Sequence, residues 1–218
     1  MHLYFCLVSL SMKSLPIIFI ILSAILFQSC QTYVSGNGKK YRQFLPAKDR
    51  TQSNGLDTGR FTKQPFNLSD YTNKVAYKNN KRIIVPLKGG DISALVNTKG
   101  RYYLYFWNAG CGGTTDEIHK LDSISKHGGQ VFIISMRSSY DVIDRILSTT
   151  AFSQYPYYTI EDKKYSNKLL MRKIRFIKEA CESCYEQYKD ELAFADYILI
   201  ENGTFKVIMS SSETNMLK

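Results

Sequence analysis

The stretch that decides the fold is Lys99–Ile118, KGRYYLYFWNAGCGGTTDEI. Tyr102 to Trp107 is an unbroken apolar and aromatic run, the pattern of a strand buried on both faces. Small residues Asn108, Ala109 and Gly110 follow, then Cys111, Gly112 and Gly113. Thr114-Thr115-Asp116-Glu117 sets a Thr hydroxyl three residues before a Glu, the pattern of a capping box that opens a helix. A lone thiol therefore falls on the turn between a buried strand and a helix N-terminus. The unpaired N–H groups and positive dipole end of such a helix favour an anion, which lowers a thiol's pKa. Cys111 is the expected reactive cysteine.

Downstream, Ile118, Leu121 and Ile124 recur at core spacing and the helix stops at Gly128-Gly129. Val131–Ser135 reads as a second buried strand, and Asp141–Leu147 as a helix with Val142, Ile143, Ile146 and Leu147 on one face. Tyr157–Ile160 adds a short strand. Tyr197–Ile200, Asn202-Gly203 and Phe205–Met209 form the clearest hairpin pattern in the chain. Upstream, Arg82–Leu87 is a β-branched strand that Pro86 assigns to an edge. Lys88-Gly89-Gly90 turns the chain, and Asp91 caps a short helical turn carrying Ile92, Leu95 and Val96. Phe66–Asn80 reads as short strands with polar turns. Strand–helix–strand alternation of this length predicts a parallel crossover unit.

This order resembles the thioredoxin superfamily, most closely its membrane-anchored thiol–disulfide oxidoreductases. In that branch a Gly-Lys turn, an apolar strand, a Phe-Trp pair and a Cys-x-x-Cys follow one another. Gly100, Phe106, Trp107 and Cys111 match, and Thr114 stands where the second cysteine belongs. The resemblance implies an α/β, thioredoxin-like fold, a central mixed sheet flanked by helices. It covers about 82–209, with a helical insertion over 163–192 before the C-terminal hairpin. It also implies a site with Cys111 as nucleophile, Thr114 beside it, and Trp107, Gly110, Ala195 and Asp196 contacting substrate, with no cofactor and no metal. Ala195 or Asp196 occupies the place of the family's cis-proline, and no Pro is nearby.

Thiolate attack on a disulfide gives a mixed disulfide, whose release needs a second thiol. Thr114 can hydrogen-bond a thiolate but cannot supply that thiol. It would come from substrate, a small thiol, or Cys181 or Cys184 as candidate resolving thiols. Two readings follow: a monothiol disulfide reductase or isomerase, and a degenerate binding module without redox turnover. A peroxiredoxin-type peroxidase is weaker, since the Pro and Thr such sites place upstream are absent before Cys111.

Cys181-Glu182-Ser183-Cys184 invites a redox or metal reading. However, Leu170, Ile174, Ile177, Cys181, Cys184, Tyr188 and Leu192 recur at four- and three-residue steps, the apolar stripe of one long helix. The preferred expectation is a pair of free, buried packing thiols. A structural or resolving disulfide is the first alternative. Zinc is the second, with Cys111, His119 and His127 as the remaining donors. Solvent exposure is expected for both histidines. Arg172, Lys173, Arg175 and Lys178 are expected on the solvated face of the same helix.

At 218 residues and 25.1 kDa, with 16 Tyr, 12 Phe and one Trp, the chain can bury one aromatic-rich core. A net charge of +10, with pI near 9.3, favours acidic partners or anionic membrane surfaces. The charge is spread along the chain and no nucleic-acid-binding motif accompanies it, so nucleic acid is not an expected partner. Lys13 precedes the apolar run Leu15–Phe27, which is short for a membrane span and suits a signal peptide. Met12 is the more natural start. Ser29-Cys30 resembles the end of a bacterial lipoprotein signal, although Phe27 and Gln28 depart from it; an uncleaved anchor or a cut elsewhere are the rivals. The expected organisation is a signal peptide over 1–29, a polar tether over 30–62 and the folded domain over 63–218, with Cys30 lipidated. That implies a lipid-anchored, extracytoplasmic protein of the bacterial cell envelope. Its expected partners are protein thiols or disulfides there, and the membrane through its lipid.

Overall fold

The aromatic run forms a strand, Arg101–Trp107, in which Tyr102 to Trp107 are all buried. The computed structural model describes residues 33–34, 41–42, 59–96, 98, 100–109, 114–126, 129–162, 164–166, 168–189, 191–192, 195 and 197–208, with backbone only at 33–34, 41–42 and 114–116. The leader, Cys30, Gly110, Cys111, His127, Asp196 and Met209 lie outside them.

Along the chain the strands are β1 (Tyr33–Val34), β2 (Tyr41–Arg42), β3 (Phe61–Lys63), β4 (Tyr77–Lys78), β5 (Lys81–Leu87), β6 (Arg101–Trp107), β7 (Gln130–Ser135), β8 (Tyr157–Ile160), β9 (Tyr197–Glu201) and β10 (Thr204–Ile208). The helices are α1 (Leu68–Thr72), α2 (Gly89–Val96), α3 (Thr114–Lys126), α4 (Tyr140–Leu147), α5 (Leu169–Ala180) and α6 (Glu182–Tyr188). The chain divides into two units, 1–45 and 46–218. In the first, β1 and β2 pair antiparallel.

The second unit is α/β, built on an eight-stranded mixed sheet in the order β10-β9-β6-β7-β8-β5-β3, with β4 also paired to β5. β3, β5, β8, β7 and β6 run parallel, while β9 is antiparallel to β6 and β10 to β9. β3 takes in Phe61 and Thr62, which composition groups with the tether.

Alternation along β6 builds two cores. Tyr102, Leu104 and Phe106 join Ile92 and Leu95 of α2 and Phe176 and Ile177 of α5 on one face. Tyr103, Tyr105 and Trp107 join Ile118 and Leu121 of α3 and Ile143 and Leu147 of α4 on the other. Each fully buried large apolar side chain contributes about 1.5–3 kcal/mol over leaving it in water. The hairpin turn is Asn202-Gly203, with φ of 49° and 82°, the left-handed pair a two-residue type I′ turn requires.

Pro86 does not mark an edge: β5 lies inside the sheet, between β8 and β3. The parity of its hydrogen bonds explains why. Arg82 N donates to Arg60 O and Gln64 N to Ile84 O, so even-numbered residues of β5 face β3. β3 ends at Lys63, opposite Ile84. Pro86 therefore points past its end, where no ladder donor is needed.

Phe66–Asn80, expected as short strands, holds one of them, β4, but its first part is the helix α1. Asn67 caps it, its side chain accepting from Ser69 N at 3.0 Å. α2 begins at Gly89, two residues before Asp91, whose carboxylate reaches back to Lys88 N at 2.7 Å.

The single helix expected from Leu170 to Leu192 is two helices. Cys181 breaks it with extended angles, φ −157° and ψ 96°, and caps α6 by accepting from Cys184 N at 3.2 Å. Cys181 and Cys184 are joined by a disulfide, with Cα atoms 5.2 Å apart, in place of the free packing thiols. The stripe still faces the core across the break: Ile177, Cys184 and Leu192 are all buried.

Candidate functional site

Ligand sites in open α/β sheets lie outside the carboxyl ends of the parallel strands. Here that end gathers the exits of β6 and β7 and, because β9 runs antiparallel, the entry to β9. Trp107 ends β6 fully buried, and its carbonyl accepts from Met136 N at 2.7 Å, tying the two exits together. Ala109 is buried in the same core. α3 begins at Thr114, so Cys111 belongs to the connection between the buried strand and the helix, with Gly110, Gly112 and Gly113, outside the described residues.

Glu117 is tied into the fold through its side chain. Its carboxylate accepts the hydroxyl of Tyr197 and pairs with Lys120 at 3.1 Å. Tyr197 is buried and stacked on Tyr105, ring centroids 4.9 Å apart, so its hydroxyl needs an internal partner. The first turn of α3 is thereby fastened to the start of β9.

Arg172 and Lys173 depart furthest from expectation. Both are buried, at 2% and 3% exposure, whereas Arg175 and Lys178 are exposed as expected. Arg172 donates through Nε to Ser166 O at 2.7 Å and through a terminal nitrogen to Met136 O at 2.8 Å. Lys173 Nζ donates to Ala195 O at 2.8 Å and lies 5.9 Å from the Phe106 ring centroid. Cations in the first turn of a helix oppose its dipole. Carbonyl oxygens from the ends of other elements offset that cost, and α5 is pinned across the exit of β7 and the approach to β9.

Of the expected substrate-contacting residues, Trp107 and Ala195 are both buried, at 0% and 1% exposure, and the Ala195 carbonyl is taken by Lys173. Trp107 thus belongs to the core between the sheet and α3 and α4. Gly110 and Asp196 lie outside the described residues. At the same sheet edge, burial raises the pKa of the Tyr140 phenol against the pull of Lys63, whose ammonium stands 5.9 Å from its ring.

No family model, curated protein or solved structure matches the chain. Among the described residues there is no His/Cys/Asp/Glu group able to hold a metal ion, and no helix long and apolar enough to cross a membrane. His119 is exposed.

In the sequence, the thiol between β6 and α3 is Cys111. The chain has five cysteines: Cys6 and Cys30 in or beside the leader, Cys111, and the bonded pair Cys181–Cys184. Cys111 is left without a thiol partner in the folded unit while that pair stays closed. Sequence reasoning missed Arg172, Lys173 and the Glu117–Tyr197 bond. For Arg172 a signal existed: a cation at the close of the opening turn of a helix, where the dipole disfavours it.

Proposed function

We propose that this chain is a membrane-tethered, extracytoplasmic thioredoxin-like protein that uses Cys111 as a single thiol in disulfide exchange with protein disulfides of the cell envelope. The observation carrying this reading is the position of Cys111 in the chain, between the buried strand β6 and helix α3 of a parallel crossover unit. The thiolate attacks one sulfur of a substrate disulfide, and the other leaves as a thiolate. Either a substrate thiol attacks the mixed disulfide and releases Cys111, or one external thiol releases Cys111 and a second releases the substrate, the two external thiols ending as their own disulfide. The substrate disulfide ends reduced or rearranged. Thr114 occupies the resolving position without a thiol, which favours reduction or isomerisation by a monothiol route over dithiol oxidation. Lipidation at Cys30 supplies the tether.

The test is a disulfide-reduction assay with glutathione as the external thiol. Cys111→Ser abolishes turnover with stability nearly unchanged, and Thr114→Cys raises turnover by supplying the missing thiol. Turnover that survives Cys111→Ser overturns the assignment.

A second reading, a binding module without turnover, draws on the Lys173 bond. The family presents substrate backbone beside its cis-proline; here the corresponding Ala195 carbonyl is already engaged, and no proline is near. Under that reading no mixed disulfide forms with Cys111, and both variants leave partner binding intact.

A further inference from the structure

We propose that Cys181 and Cys184 form a second thiol–disulfide exchange site, which accepts electrons from a partner dithiol independently of Cys111. The inference does not rest on the activity proposed above. Its first support is the unequal surroundings of the two sulfurs. Cys181 is half-buried and lines an open groove of about 480 Å³ together with Ser93, Ser183, Gln187, Gly203 and Thr204. Cys184 lines the same groove but is the more buried of the two, 9% exposed and packed in the apolar core. The groove therefore gives a partner segment access to the bond, and Cys181 is the less enclosed of the two residues. A second support is loop length. The bond joins residues only three apart, and the stabilisation from closing a loop grows with its length, so this disulfide contributes little as a staple.

The donors around Cys181 suit the chemistry. Its sulfur accepts from Cys184 N at 3.2 Å and lies 3.4 Å from the Ser183 hydroxyl oxygen. Both groups can stabilise a thiolate, and a better-stabilised thiolate leaves faster. In the first step a partner thiolate attacks Cys181 Sγ. The Cys181–Cys184 bond breaks, and Cys184 departs as a thiolate that takes a proton from solvent. In the second step the partner's other thiolate attacks its own sulfur in the mixed disulfide and expels Cys181 as a thiolate, which is then protonated. The partner dithiol becomes a disulfide, the pair becomes two thiols, and two electrons and two protons have passed. The polar groove wall fits a peptide segment bearing two cysteines.

The groove lies at the start of β6, the end of that strand opposite Trp107. Val96 and Gly203 in its wall sit where β6 begins, and Asn202 N donates to Gly100 O at 3.2 Å there. Cys111 follows the other end of β6, roughly 20 Å along a strand of that length.

The experiment uses the full chain carrying Cys111→Ser and a synthetic peptide with two reduced cysteines as the probe. The folded protein is expected to oxidise one equivalent of peptide. Maleimide labelling then appears on both Cys181 and Cys184, located by peptide mapping, with circular dichroism unchanged. Adding Cys181→Ser and Cys184→Ser should remove the oxidation entirely. Cys184→Ser alone should hold a mixed disulfide at Cys181 with a single-cysteine form of the peptide supplied as its glutathione disulfide, because no second thiol is present to expel Cys181. If the peptide stays reduced and the Cys181–Cys184 bond persists until denaturant is added, the pair is structural and the inference is overturned. Because Cys111 is absent throughout, neither result bears on the activity assigned to it.

Discussion

Two neighbouring glycines give opposite predictions. Gly89 and Gly90 open α2 side by side, yet only Gly89 meets α5. A Cβ on Gly89 would stand 2.6 Å from Ala180 N and Glu179 Cβ and 2.7 Å from Phe176 O. Those distances fall nearly 1 Å short of the ~3.5 Å at which heavy atoms rest. Two of the three atoms are backbone, in a helix anchored by fully buried Phe176, so α5 must shift as a body. Overpacking of this kind costs about 1–3 kcal/mol. A Cβ on Gly90 has as its nearest neighbour the flexible Glu179 carboxylate oxygen at 3.9 Å. Replacing glycine by alanine within a helix gains about 0.5–1 kcal/mol at either site, so that gain cancels in the comparison. Gly90→Ala is expected to be neutral or stabilising, and Gly89→Ala to be less stable than it by about 1–3 kcal/mol. Urea unfolding checks this through the midpoint, with an unchanged slope showing that the unfolded state is the same. Equal midpoints for the two variants would refute the α2–α5 packing described here.

Arg82 is 4% exposed, with its guanidinium carbon 4.1 and 4.3 Å from the ring centroids of Tyr77 and Tyr157, and bonds of 2.6 Å to Ser153 O and 2.7 Å to the Tyr77 hydroxyl. Arg82→Met is expected to cost about 3 kcal/mol by stranding those acceptors, and a loss below about 1 kcal/mol in urea melts would contradict the geometry. Tyr197→Phe removes the bond to Glu117 and should cost about 1.5–3 kcal/mol; an unchanged melting curve would show that α3 is not fastened to β9. Burial pushes the Glu179 carboxyl up, but bonds from Lys164, Tyr165 and Gly90 N outweigh it and hold the group below its ordinary range. A depressed carboxylate adds stability above its unfolded pKa and loses it as pH falls through the folded one. The stability gap between the parent and Glu179→Gln should therefore be full near neutral pH and close below about pH 4. A gap that stays constant with pH would show that the charge is not what stabilises.

The residues explain which features were legible. β6 could be read because six consecutive apolar or aromatic residues leave no polar face for any other placement. The hairpin could be read because Asn202-Gly203 is one of few pairs that accept two left-handed residues. Pro86 misled because an edge inference assumes a partner on both sides at every residue, and only the register shows that β3 stops short. The break at Cys181 was invisible because the apolar stripe runs unbroken through it, while the interruption lies in the extended backbone of a single residue. Arg172 and Lys173 were assigned to water because their carbonyl partners, Met136, Ser166 and Ala195, belong to other segments that only the fold brings near. The position of Cys111 between strand and helix was legible, while the engagement of Ala195 and the core role of Trp107 depended on packing.

The most direct test of the central claim is the pH dependence of Cys111 alkylation by iodoacetamide in the folded protein, with the Cys181–Cys184 disulfide intact and labelling located by peptide mapping. Cys111 is predicted to label in the folded state with a midpoint below the ~8.5 of a free cysteine. A midpoint at or above that value, or labelling only after unfolding, would contradict Cys111 as the working thiol.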